Sequence, residues 1–202
     1  MAILLTTFDQ QELAIYYPEL NCSLKRGMIW GTLSFACSLD QNKLEIVFDK
    51  SADCFICDNY EIRIDFNQHD IFGFPKVYEE SEFIKSFAQK EHINIADLHI
   101  YDDNSCCLGI FPEYQWQSSL AYIQDKVIPF FYWQSYRRIY GKEPWMGYSH
   151  GENGIKEAMS LPPRLNSKGS SRNVKCPCGS GKKYKKCCIV RDAKLKTYLG
   201  GN

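Results

Sequence analysis

Tyr60-Glu-Ile-Arg-Ile-Asp-Phe66 sets Ile62, Ile64 and Phe66 in alternation with charged residues. Successive side chains of an extended chain point to opposite faces, so a period of two reads as a β-strand with one face on a core and the other in water. Outward from it, residues 28–37 are rich in β-formers, and 43–49 carry Leu44, Ile46 and Phe48 in the same alternation. On the other side, Phe72-Gly-Phe-Pro-Lys-Val-Tyr78 reads as a turn into a fourth short strand, because Pro75 fixes its own φ and restricts Phe74. Short connections between these strands favour an antiparallel meander.

Helical signals flank the strands. Thr6 or Thr7 can cap a helix running to about residue 20, with Leu13, Ile15 and Tyr16 among its apolar positions. Residues 80–90 read as a second helix with Phe83, Ile84 and Phe87 on one side, and 94–114 as irregular. Ser118 or Ser119 can cap a third, in which Leu120, Ile123, Val127 and Phe131 recur at steps of three and four. Pro129 opposes that reading, since an interior proline costs about 3 kcal/mol, and a bend or break is expected near Val127. The fold class is therefore α+β, a four-stranded antiparallel meander with flanking helices.

With 202 residues, 45% apolar and 14% aromatic, the chain can build one well-cored domain and a small appendage. Net charge is zero overall, but residues 1–165 hold 14 Lys/Arg against 23 Asp/Glu, and residues 166–202 hold 10 against 1. The basic tail suits an acidic protein, a nucleic acid or the acidic body itself. Residues 162–174, rich in Pro, Ser and Gly, read as a flexible linker, which gives a domain over 1–161 and a knuckle over 175–202. No internal repeat is present. Met1-Ala-Ile-Leu-Leu-Thr-Thr lacks a basic leader, and no stretch nears eighteen apolar residues, so a cytoplasmic chain with no membrane partner is expected. Of ten cysteines, Cys22, Cys37, Cys54, Cys57, Cys106 and Cys107 fall mostly in strand-like runs and are expected to be reduced thiols. Cys54 and Cys57 have redox-motif spacing, but between strand runs and not at a helix start.

The run Cys176-Pro-Cys-Gly-Ser-Gly-Lys-Lys-Tyr-Lys-Lys-Cys-Cys188 places four thiols within thirteen residues. Four thiolates suit one tetrahedral Zn²⁺, and a closed Cys₄ shell leaves no position for substrate, so the site is expected to be structural. A segment this small and polar buries too little apolar area to fold without a metal or disulfides. The spacing, with Gly179 and Gly181 in the turn, resembles the SEC-C motif, which implies Cys176, Cys178, Cys187 and Cys188 as zinc ligands. Lys182, Lys183, Lys185 and Lys186 would offset the thiolate charge, contact a partner, or form a solvated face.

Within the body, Tyr60-Glu-Ile-Arg-Ile-Asp-Phe66, Phe74-Pro-Lys-Val-Tyr78, Asp97-Leu-His99, Ser105-Cys-Cys-Leu108 and Trp116 follow one another in an order that resembles the ubiquitin-conjugating enzyme fold, over about residues 5–140. The resemblance is greatest to divergent bacterial members, some encoded beside cGAS-like nucleotidyltransferases in antiphage (CBASS) operons. It implies a thioester carrier in which Cys107 takes the C-terminal carboxyl of a donor, a ubiquitin-like protein or such a nucleotidyltransferase, and passes it to a lysine-bearing acceptor. Leu108 after the cysteine and Trp116 nine residues on align Cys107 with the family nucleophile, and Cys106 takes the place of a packed aliphatic residue. The family's His-Pro-Asn element is replaced: Asp97 stands for the His and His99 for the Asn that polarises the carbonyl.

An imidazole can donate to an oxyanion or act as a base, so His99 either substitutes for that Asn or braces the loop. Asp102 and Asp103 either position or deprotonate the incoming lysine, or form a turn beside Asn104. His150, in a loop, ranks below His99. The competing expectation is an inactive adaptor of the same fold, whose knuckle binds a protein or nucleic acid.

Overall fold

A computed structural model of the chain describes residues 3–40, 43–47, 55–70, 73–109, 115–144, 170–175, 182–186 and 189. Cys54, His150, the four cysteines of the tail and residues 162–169 of the expected linker lie outside the described residues. Two compact units form, Met1–Leu108 with Trp116–Met146, and Gly109–Gln115 with Gly147–Asn202.

The first unit begins with α1 (Thr7–Tyr16), capped by Thr6. The Thr6 hydroxyl accepts from the Asp9 N–H at 3.2 Å, and the Asp9 carboxylate accepts from the Thr6 N–H at 2.9 Å, a reciprocal capping box. The other Asp9 oxygen accepts the Ser119 N–H at 2.8 Å, tying this helix start to another 110 positions away. Leu13 is buried, whereas Ile15 faces solvent at 74% exposure. The helix stops short of residue 20 because Pro18 disfavours helical geometry at Tyr17, which sits at φ −137°.

Five strands follow: β1 (Leu20–Ser23), β2 (Met28–Asp40), β3 (Lys43–Ile46), β4 (Phe55–His69) and β5 (Pro75–Glu79). All pairings are antiparallel, and the sheet is open, in the order β1-β2-β4-β5 with β3 on β2. The expected four-stranded meander is thus a five-stranded sheet. The stretch around Leu44 and Ile46 does not lie between its sequence neighbours; β2 pairs directly with β4 from Met28↔Asp65 to Ser38↔Phe55. β3 and β1 share the outer edge of β2, at Cys37–Asp40 and Met28–Gly31 respectively. Gly31 is required there: its φ is +129°, and a Cβ would stand 2.3 Å from the Glu19 carbonyl oxygen.

The even-numbered side of β4, Ile56, Tyr60, Ile62, Ile64 and Phe66, is buried, as its alternation requires. The main helical segment covers the core. It starts at Ser118, whose hydroxyl accepts the Ala121 N–H, and runs through α3 (Ser119–Tyr122), a π-helical turn (Ile123–Val127) and α4 (Ile128–Tyr140). A proline ring within a helix collides with the carbonyl four residues before it, and the widened turn just ahead of Pro129 relieves that collision. Phe131 packs on Tyr60 with ring centroids 4.6 Å apart. The Tyr60 hydroxyl donates to Ser135 Oγ at 2.9 Å, and Ser135 donates to Asp58 at 2.6 Å, so α4 is pinned to β4 by polar as well as apolar contacts. Among the described residues no helix is long and apolar enough to cross a membrane.

In the second unit, short 3₁₀ turns span Ser170–Asn173 and Tyr184–Lys186. Lys175 pairs with Lys183, and the Tyr184 N–H donates to the Val174 carbonyl at 2.9 Å.

Burial raises the Asp9 carboxyl's pKa, but the hydrogen bonds from Thr6 and Ser119 outweigh it and the net change is downward. A depressed carboxyl stabilises the fold above its unfolded value and loses that contribution as pH falls below about 4. Asp9→Ala is expected to cost about 1–3 kcal/mol at pH 7, the range for a buried, hydrogen-bonded acid. Urea unfolding should show the gap between wild type and variant narrowing from pH 5 towards pH 2.

Candidate active site

After α2 (Phe83–Lys90), a 3₁₀ turn over Ile95–Leu98 is capped by Asn94, whose side chain accepts the Ala96 N–H at 3.0 Å. Leu98 is fully buried and anchors the turn. His99 then enters the left-handed region at φ 59°, ψ 38°. That conformation costs a residue with a Cβ about 1–2 kcal/mol, and it reverses the chain into a small hairpin. Ile100 bridges Cys106, and the Tyr101 N–H donates to the Ser105 carbonyl at 2.9 Å. The Cys107 N–H donates to the His99 carbonyl at 2.7 Å. The hairpin adds to the edge of β5, where Ser105 bridges Tyr78 and the Cys106 N–H donates to the Val77 carbonyl at 2.7 Å.

The structure therefore brings the backbones of His99 and Cys107 together at the hairpin base. Cys106 is buried, at 7% exposure, and burial, with Glu79 nearby, pushes its thiol well above the usual thiol range. Cys107 is half-buried. The His99 ring meets Trp133 of α4 edge-on, with centroids 4.9 Å apart. Asp97 is exposed, and its carbonyl accepts from Arg137 at 2.9 Å.

The two acids of the hairpin tip differ. Asp103 accepts from the Ser105 N–H at 3.0 Å and hydroxyl at 2.6 Å, and pairs with Lys76 of β5. Burial acts to raise its pKa, but the Lys76 and Ser105 hydrogen bonds prevail and hold the carboxyl at about 2. A carboxylate so stabilised is a weak base, and its bonds make it a turn former, with Asn104 beside it at φ 63°. Asp102 is exposed at the tip. Beside the hairpin lies an open groove of about 590 Å³, between α2, β4–β5 and the tip, floored by Ile84, Ala88 and Ile100 and reached by Asp103 and Asn104.

Sequence reasoning missed the α4 contribution: Trp133 against His99, Gln134 donating to the Leu98 carbonyl at 2.6 Å, and Arg137 on Asp97. A glutamine inside the apolar run Phe130-Phe-Tyr-Trp-Gln134 was the available signal.

Among the described residues no cluster of three or more His, Cys, Asp or Glu could hold a metal ion. In the second unit, the Lys175–Lys183 pairing sets the residue before Cys176 beside the segment leading to Cys187 and Cys188. By their chemistry alone, four soft thiols within thirteen residues suit a zinc ion. Tyr184 is buried and offers no stacking surface, while Lys182, Lys183, Lys185 and Lys186 are exposed.

This tail is where the chain meets known proteins. The SEC-C motif is present at residues 172–189. The chain is 49% identical over 45 residues to the protein translocase subunit SecA of Desulforudis audaxviator, which is 22% of this chain and 4% of that protein. It is 60% identical over 37 residues to SecA of Syntrophomonas wolfei, 18% of this chain and 4% of that one. These relatives share the motif, and the chain spans about 4% of their length. No solved structure matches the chain.

Because a depressed carboxyl releases its stabilisation as pH falls through its folded value, the hairpin tip should stay intact down to about pH 4 and loosen towards about pH 2. An NMR titration of the Ser105 amide should report that midpoint, and Asp103→Asn should abolish it; a midpoint near 4 would contradict the described bonds.

Proposed function

We propose that the chain is a ubiquitin-conjugating-enzyme-like transferase that carries the C-terminal carboxyl of a donor protein as a Cys107 thioester and passes it to an amine. The observation that carries this reading is the hairpin base, where a half-buried cysteine and a left-handed histidine share a 2.7 Å backbone hydrogen bond while the neighbouring cysteine is sealed in the core. The Cys107 thiolate attacks an acyl carbon already activated by a partner enzyme, forming a C–S bond as the activating group departs. A lysine amine then attacks the thioester, and the C–N bond forms as the thiolate leaves. The His99 imidazole donates to the oxyanion of that step. Asp102 is the acid left to steer the amine, since Asp103 is engaged with Lys76 and Ser105. The groove beside the hairpin tip, reached by Ile100, Asp103 and Asn104, gives an acceptor segment room to lie along the hairpin.

The donor in this reading is a ubiquitin-like protein or a cGAS-like nucleotidyltransferase, and the setting is bacterial antiphage defence in the cytoplasm. In the tail, Cys176, Cys178, Cys187 and Cys188 hold a structural Zn²⁺, which folds the knuckle and presents its exposed lysines to a protein or nucleic-acid partner.

With an activating enzyme and donor, wild type should form an adduct released by thiol reductant, and Cys107→Ser should trap the donor as a reductant-resistant oxyester. If neither forms an adduct, the transferase reading fails and the inactive adaptor with its binding knuckle takes its place. For the metal, elemental analysis should find one zinc per chain, lost in Cys187→Ser. Chelation should unfold the tail while the urea midpoint of the sheet-containing unit stays in place.

A further inference from the structure

We propose that Gln134 of α4 is a positioning residue for Cys107, acting through the backbone of His99; the inference rests on the reading of Cys107 and His99 as the working pair. Residues 131–135 are all buried, and Gln134, at 4% exposure, brings a side-chain amide into that environment. An amide taken out of water needs a partner, and Gln134 Nε2 donates to the Leu98 carbonyl at 2.6 Å. Leucine at 134 would fill similar space without that requirement, so what the amide contributes is the fixed position of one carbonyl.

That carbonyl belongs to the rigid peptide plane joining Leu98 to His99. The far side of the same plane is held by the His99 N–H, which donates to the Ala96 carbonyl at 3.0 Å. The next plane is held by the His99 carbonyl, which accepts the Cys107 N–H at 2.7 Å. With both flanking planes pinned, φ and ψ of His99 are fixed in the left-handed region, which a residue with a Cβ keeps only when its surroundings over-determine it. Trp133, the residue before Gln134, holds the ring edge-on. One turn of α4 thus sets the backbone of His99 and the direction of its imidazole, and through the shared hydrogen bond the start of the Cys107 segment. Charged groups around the hairpin are Asp97, Asp102 and Asp103 on the loop, Lys76 and Glu79 on β5, and Arg137 on α4. Lys76 is engaged by Asp103, and Arg137 by the Asp97 carbonyl and Glu143.

The test is the iodoacetamide alkylation rate at Cys107 in the full chain, read by peptide mass, with half-buried Cys22 of β1 as internal reference. Gln134→Leu removes the donor, and Gln134→Met removes it while keeping an unbranched side chain of similar length, so the test survives if the first variant folds poorly. Both variants should slow Cys107 at least about fivefold relative to Cys22, and neither should slow it further in a His99→Ala background, the non-additivity of groups acting through one contact. A purely structural role would move Cys22 as well. An unchanged Cys107 rate, equal changes at both cysteines, or effects that multiply with that of His99→Ala would overturn the inference. Iodoacetamide needs no donor protein, so a chain that forms no adduct yet shows this pattern separates failure of the transferase reading from failure of this one.

Discussion

The hydrogen bond from the Cys106 N–H to the Val77 carbonyl is the contact on which the site depends. It joins the irregular segment after α2 to the edge of β5 and seats Cys106 in the core. Ser105 and Cys106 are both buried there, and Cys107, the next residue, keeps partial exposure. Two adjacent cysteines thus differ in character: one is a small apolar plug whose thiol resists ionisation, the other is half-buried. The stacked constraints at Leu98, His99 and Cys107 then fix the reversal that brings the hairpin strands together.

How the chain builds that frame was partly legible in its residues. The alternation of Tyr60–Phe66 correctly announces a strand with Ile62, Ile64 and Phe66 inward, because side-chain direction in a strand is a local property. Thr6 and Ser118 are readable as caps for the same reason, their hydroxyls serving amides three residues on. Strand order is not local. Nothing in Leu44 or Ile46 says that β2 will reach past them to pair with β4, and β1 is too short and polar to carry a periodic signal. Pro129 announces a conflict in its helix but not the remedy, since a π turn and a kink satisfy the same steric demand.

The site divides in the same way. Cys107 and His99 stand out through their chemistry and their place in a resemblance, and the structure sets their backbones in contact. Asp103 carries the same sequence signal as Asp102, yet its carboxylate is engaged by Lys76 and Ser105, a distinction that exists only once β5 is folded beside the hairpin. Gln134 stands out as a polar residue in an apolar run, but its target does not, because the bond spans 36 positions of chain. The SEC-C tail is the reverse case: four cysteines and two glycines at fixed spacing carry the motif by themselves.

The division of labour between the adjacent cysteines is the claim from which the rest follows, and competitive alkylation of the folded, reduced chain measures it directly. The account predicts that Cys107 is labelled at least about tenfold ahead of Cys106, as a half-buried thiol should be over one that burial holds protonated. Equal labelling of the two, or labelling of Cys106 first, would contradict it.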